Sequence, residues 1–126
     1  MTQEEKQILF RDLCTRIPYH TLVQLNPGAY NKPETRLLTG VDGEEIYLNV
    51  DSDPFRIGHI KPYLRPMSSM TEEEENKYNS LNAYEKGIFP HTEEAFDWLL
   101  ANHFDFRGLI EKSLALKAPE NMYEKK

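Results

Sequence analysis

The side chains of this 126-residue chain that could do acid–base, nucleophilic or metal chemistry are four histidines, one cysteine and several carboxylate clusters. His20, His59, His91 and His103 stand at spacings that match no zinc-ligand pattern, and neither Glu93 after His91 nor Asp105 after His103 completes one. They read as strand-edge, capping or packed histidines, and no metal or other cofactor is expected. Cys14 lies among Leu9, Phe10, Leu13 and Ile17, with Arg11 one helical turn earlier as its obvious cationic neighbour. A reactive thiol would need that cation; the plainer expectation is a small buried hydrophobe. The carboxylates Glu44-Glu45, Glu72 to Glu75 and Glu93-Glu94-Asp97 each follow a turn or begin a helix, where negative charge is locally stabilised. No Gly-x-Ser-x-Gly elbow occurs and the six glycines are scattered, so neither a serine nucleophile nor a phosphate-cradling loop is indicated. Nothing in these patterns supports an enzyme.

A binding surface has better support. In Lys61-Pro62-Tyr63-Leu64-Arg65-Pro66 two prolines remove backbone donors and fix φ, so the segment is expected to cross the surface as an extended connector. Alternation then projects Lys61, Tyr63 and Arg65 to one side, a cation–aromatic–cation row, with Pro62, Leu64 and Pro66 beneath. Such a row could contact an acidic protein, or stack on a base and reach phosphates. Equally, Tyr63 and Leu64 could pin the connector to a sheet. Arg107 is a further candidate cation. The charge distribution weighs against broad nucleic-acid binding, because residues 67–126 carry 7 Lys+Arg against 12 Asp+Glu, or −5 of the total −6.

These residues must be positioned by a small set of elements. Thr2 and Glu5 have capping-box spacing, and apolar residues through Ile17 recur at helical intervals, predicting a helix over residues 2–16 that Pro18 ends. Glu4, Gln7, Arg11 and Thr15 form its expected solvent stripe. Strands are expected at 20–25, 35–41, 44–50 and 55–60, with a turn at Asn26-Pro27-Gly28. Asp42-Gly43 predicts a two-residue type I′ hairpin with positive φ at both positions, and Ile46, Leu48 and Val50 should share the buried face. Thr71 and Glu74 open an acidic helix to about residue 81, and residues 82–90 form a loop. Thr92 caps a third helix whose Ala95, Phe96, Trp98, Leu99, Leu100 and His103 should make it the best-buried one. Residues 106–116 add one short element whose type the pattern leaves open.

Two stretches go further. Residues 61–74, Lys61-Pro62-Tyr63-Leu64-Arg65-Pro66-Met67-Ser68-Ser69-Met70-Thr71-Glu72-Glu73-Glu74, and residues 103–120, beginning His103-Phe104-Asp105-Phe106-Arg107-Gly108-Leu109, resemble a family of short uncharacterised proteins from gut Bacteroides-type bacteria. Such proteins are often encoded in prophages or other mobile elements. Ser113 stands where the family carries a helix-ending glycine, and Asn102-His103 where relatives tend to carry two histidines. The resemblance implies a setting and assigns no catalytic residue.

The reading is therefore one α+β domain over residues 1–118, a small mostly antiparallel sheet packed against N- and C-terminal helices, with residues 119–126 as a frayed polar tail. A strongly curled, SH3-like half-barrel is the alternative form of that sheet. A lone cysteine, an acidic N-terminus and the lack of any apolar run near 20 residues point to a cytoplasmic protein without a membrane anchor. Its expected role is that of a mobile-element accessory or adaptor binding a protein partner, the alternative being a nucleic-acid-associated protein that uses the 61/63/65 row.

Overall fold

Thr2 and Glu5 form the anticipated reciprocal cap: the Glu5 N–H donates to Thr2 Oγ1 at 3.1 Å and the Thr2 N–H to Glu5 Oε1 at 2.8 Å. From there α1 runs Gln3–Arg16 in a computed structural model that describes residues 2–26, 32–81 and 93–123. The buried face of α1 is Leu9, Asp12, Leu13 and Arg16, the i, i+3, i+4, i+7 set, so it is rotated from the expected stripe and leaves Cys14 exposed. The rotation has a physical cause: Asp12 and Arg16 pair with each other and can enter the interior together.

The strands are β1 (Leu22–Leu25), β2 (Glu34–Asp42), β3 (Glu45–Leu48), β4 (Phe55–Arg56), β5 (Ile60–Pro66), β6 (Phe104–Asp105) and β7 (Leu116–Lys117). Pairing follows the order β4-β3-β2-β1-β5-β6, with β7 also on β5; β6 and β7 run parallel to β5 and the other pairs are antiparallel. With α1, α2 (Glu72–Leu81) and α3 (Glu93–Ala101), this is an α+β fold. No helix among the described residues is long and apolar enough to cross a membrane.

Several expectations shift. The hairpin exists, but Asp42 pairs with Glu45, so the loop is Gly43-Glu44, and of its two residues only Gly43 has positive φ (+63°), the pattern of a type II′ turn. A register shift lies between Leu38 and Gly40, and β3 stops at Leu48, because the Asn49 side chain accepts from the Leu37 N–H; Val50 is consequently 67% exposed. The expected strand at 55–60 is interrupted by a 3₁₀ turn, Ile57–His59, which re-aims the chain into β5. The supposed surface connector is itself β5, an interior strand. Its prolines fit because Asn26 N–H bonds His59 O, which puts the β1 ladder on residues 59, 61 and 63, while Pro62 faces the other edge ahead of the β7 pairing at Tyr63 and Leu64.

The core gathers Leu9 and Leu13 of α1 against Val23, Leu25, Leu38, Ile46, Leu48, Ile60 and Leu64 of the sheet, closed by Ile57, Leu109 and Leu114. Each such leucine contributes about 1.5–3 kcal/mol by burial. α3 buries Ala95, Leu99 and Leu100, but Trp98 is half-buried and Phe96 is 38% exposed, so it is less covered than its composition suggests. Residues 109–113 form the undetermined element, a short run of turns ended by a left-handed Ser113 (φ +61°). The Leu114 N–H bonds Leu109 O and the Ser113 N–H bonds Ile110 O, the paired closure of a Schellman motif, so serine takes here the place that a glycine commonly fills at a helix end. The loop at 82–90, the Thr92 cap, His91 and the Pro27-Gly28 turn lie outside the described residues.

Candidate functional site

Alternation along β5 places Pro62 and Leu64 inside and leaves Lys61, Tyr63 and Arg65 half-buried on the other side. The row is thus real as a register, but its members are differently engaged. Arg65 forks onto Glu74, donating to Oε2 at 2.8 Å and Oε1 at 2.6 Å, and its guanidinium lies 4.2 Å from the Phe104 ring centroid. Glu74 also accepts from the Thr71 N–H at 3.0 Å, while Thr71 Oγ1 accepts from the Glu74 N–H at 3.2 Å. One carboxylate therefore caps α2 and ties it to β5, and the Arg65 bonds hold that carboxyl below its ordinary range. Phe104 stacks on Trp98 and Trp98 on Tyr78, extending the tie through α3. Arg107 does not join the row: it donates to Asp12 Oδ1 at 2.6 Å and packs over Phe106.

That contact belongs to a buried ionic cluster that the sequence reading missed. Asp12 and Arg16 have no exposed side-chain surface; Arg16 Nε donates to Asp12 Oδ2 at 2.7 Å, and Nη2 to Asp12 Oδ1 at 3.1 Å and Phe104 O at 2.8 Å. Arg16 Nη1 is buried without a hydrogen-bond partner among the described residues. The signal was available as an i, i+4 acid–base pair beside Leu9 and Leu13. Asp105, read beside His103 as an incomplete ligand, uses both oxygens on the N–H groups of Leu109 and Ile110.

The second missed feature is a fork in the sheet. β1 pairs with β5 from Leu25↔Ile60 to Val23↔Pro62, and beyond that point β5 pairs instead with β6, the Arg65 N–H donating to His103 O at 2.8 Å. At the fork the Tyr123 hydroxyl takes the place of one of the two bonds of the next rung: it accepts from the Leu22 N–H at 2.9 Å and lies 2.7 Å from Tyr63 O and 3.2 Å from Leu22 O. Its ring stacks on His103, centroids 3.6 Å apart at 17°, and His103 Nδ1 is 3.5 Å from the buried Thr21 Oγ1. His103 ends α3 in the left-handed region (φ +63°). Residues 119–123, expected within a frayed tail, are thus held against the fold, and residues 124–126 lie outside the described residues.

Beside the fork lies a cleft of about 870 Å3, walled by Arg65, Glu74, His103, Lys117, Met122 and Tyr123 among others. Arg65 is committed to Glu74, whereas Lys117 is exposed and forms no ion pair among the described residues. No group of three or more histidine, cysteine or acidic side chains among the described residues is arranged to hold a metal ion. Comparison with protein-family models, with curated proteins and with solved structures finds no match to this chain.

Proposed function

We propose that the protein is a non-enzymatic accessory or adaptor that holds a segment of another polypeptide in the cleft between β5, the start of α2 and the C-terminal segment. The observation that carries this reading is the cleft's make-up. It offers ligand-sized space, apolar contact from Pro66, Met122 and the aromatic walls, and in Lys117 a cation free to meet a carboxylate on the partner. The strand order β4-β3-β2-β1-β5, with a 3₁₀ turn before β5, is compatible with an SH3-like half-barrel and supports peptide binding by fold analogy alone. The resemblance to prophage and mobile-element proteins supplies the cellular setting of the proposal. Phosphate binding along the β5 row has less behind it, because Arg65 is neutralised by Glu74 and the chain carries −6 overall.

The test compares proteins co-purifying from the native host with the wild type, with Lys117→Glu and with Lys61→Ala. A partner retained by the wild type and Lys61→Ala but lost from a folded Lys117→Glu variant is the expected result. An identical set of partners for all three would overturn the assignment of the cleft.

A further inference from the structure

We infer that the fork between β1 and β6 is a binding slot for a phenol, which the chain fills with its own Tyr123, so that its C-terminal segment acts as an internal ligand. This goes beyond the proposed partner and does not depend on it.

The slot's chemistry matches a phenol group by group. A phenolic hydroxyl has one proton to give and lone pairs to receive, and the fork presents one donor, the Leu22 N–H, opposite the acceptors Tyr63 O and Leu22 O. The shortest approach, 2.7 Å to Tyr63 O, is where the single proton goes; the Leu22 N–H then fills a lone pair. The Leu22 N–H and Tyr63 O would otherwise bond each other to complete the next antiparallel rung, since Val23↔Pro62 is the last pair formed. The rung has therefore opened at one of its two bonds around a hydroxyl. The ring half of the ligand is recognised separately, by face-to-face stacking on His103. That imidazole is held in place at the cost of a left-handed backbone at a buried, non-glycine residue, a conformation that persists only where the surroundings impose it. Burial also keeps the phenol protonated, raising it above its ordinary range, so the donor is present throughout the neutral region.

None of these contacts uses the covalent link between Tyr123 and the chain. A free 4-alkylphenol should satisfy them equally.

The experiment is rescue of the full-length Tyr123→Gly variant by p-cresol, followed by thermal unfolding, with toluene as the probe that fills the space but lacks the hydroxyl. Tyr123→Gly should melt about 5 °C or more below the wild type. p-Cresol should raise that midpoint saturably, toluene by less than half as much, and neither should move the wild type. Equal rescue by toluene, no rescue by p-cresol, or an equal shift of the wild type by p-cresol would overturn the proposal. If the glycine variant does not fold, Tyr123→Phe keeps it testable by amide exchange: the Leu22 N–H should exchange at least tenfold faster while its β-ladder neighbours are unchanged, and unaltered Leu22 exchange would refute the slot.

Discussion

Asp12 accepts from two arginines in the interior, and its position explains why α1 sits as it does. It receives Arg16 through both oxygens and Arg107 through one, while Arg16 also holds the Phe104 carbonyl at the edge of β6. A pair this buried gains little over a hydrophobic replacement of the same shape, but removing one member strands the other charge. Asp12→Ala leaves two guanidinium groups facing each other without their shared carboxylate. The expected loss is about 3–5 kcal/mol, measured by denaturant unfolding. A loss below about 1 kcal/mol would mean that water reaches Arg16 and that the cluster is not sealed.

At the scale of elements, the β2–β3 hairpin shows a turn residue setting register. Gly43 alone in the loop takes positive φ, and a Cβ added there would meet no heavy atom within 4 Å. The cost of a side chain is thus backbone conformation and not collision. Gly43→Val should lower stability by about 1–2 kcal/mol, and Gly43→Asn by less, because asparagine has no β-branch and is among the non-glycine residues that most often take positive φ in hairpin turns. Equal melting midpoints for the two variants would show that the loop had re-formed with its positive φ elsewhere. The same economy appears at Ser113 and His103, where non-glycine residues end helical segments in left-handed conformations (φ +61° and +63°).

For the molecule as a whole, the closing contact is Tyr123, which ties the end of the described chain to strands almost the full sequence away. Burial disfavours its phenolate and raises the phenol above the ordinary 10.0, while the Leu22 N–H bond and then the charge of Arg16 work in the opposite sense. The unfolded chain therefore gives up this proton more readily than the folded one. The stabilisation is fully present below the unfolded value and is lost as pH rises toward the folded value. The wild type should accordingly lose stability between about pH 9.5 and 11.5 more steeply than Tyr123→Phe, which lacks the proton altogether. Parallel stability–pH curves for the two proteins would show that the phenol is exposed.

Local signals sufficed where one stretch of chain decides its own conformation. The Thr2/Glu5 and Thr71/Glu74 capping boxes, the existence of the hairpin and the α+β class follow from spacing alone, since caps, turns and periodicity involve neighbours in sequence. Tertiary structure decided what depends on distant partners. Lys61 to Pro66 reads as a connector by its prolines, and becomes an interior strand because β1, β6 and β7 supply bonds at the rungs the prolines leave usable. Cys14 reads as core and is exposed because Asp12 and Arg16 neutralise each other and take the buried face. Arg65 and Arg107 read as open cations until Glu74 and Asp12 arrive from other parts of the chain. The Tyr123 slot left no local trace, because a phenol 101 residues from Leu22 meets a half-opened rung only once the sheet has forked.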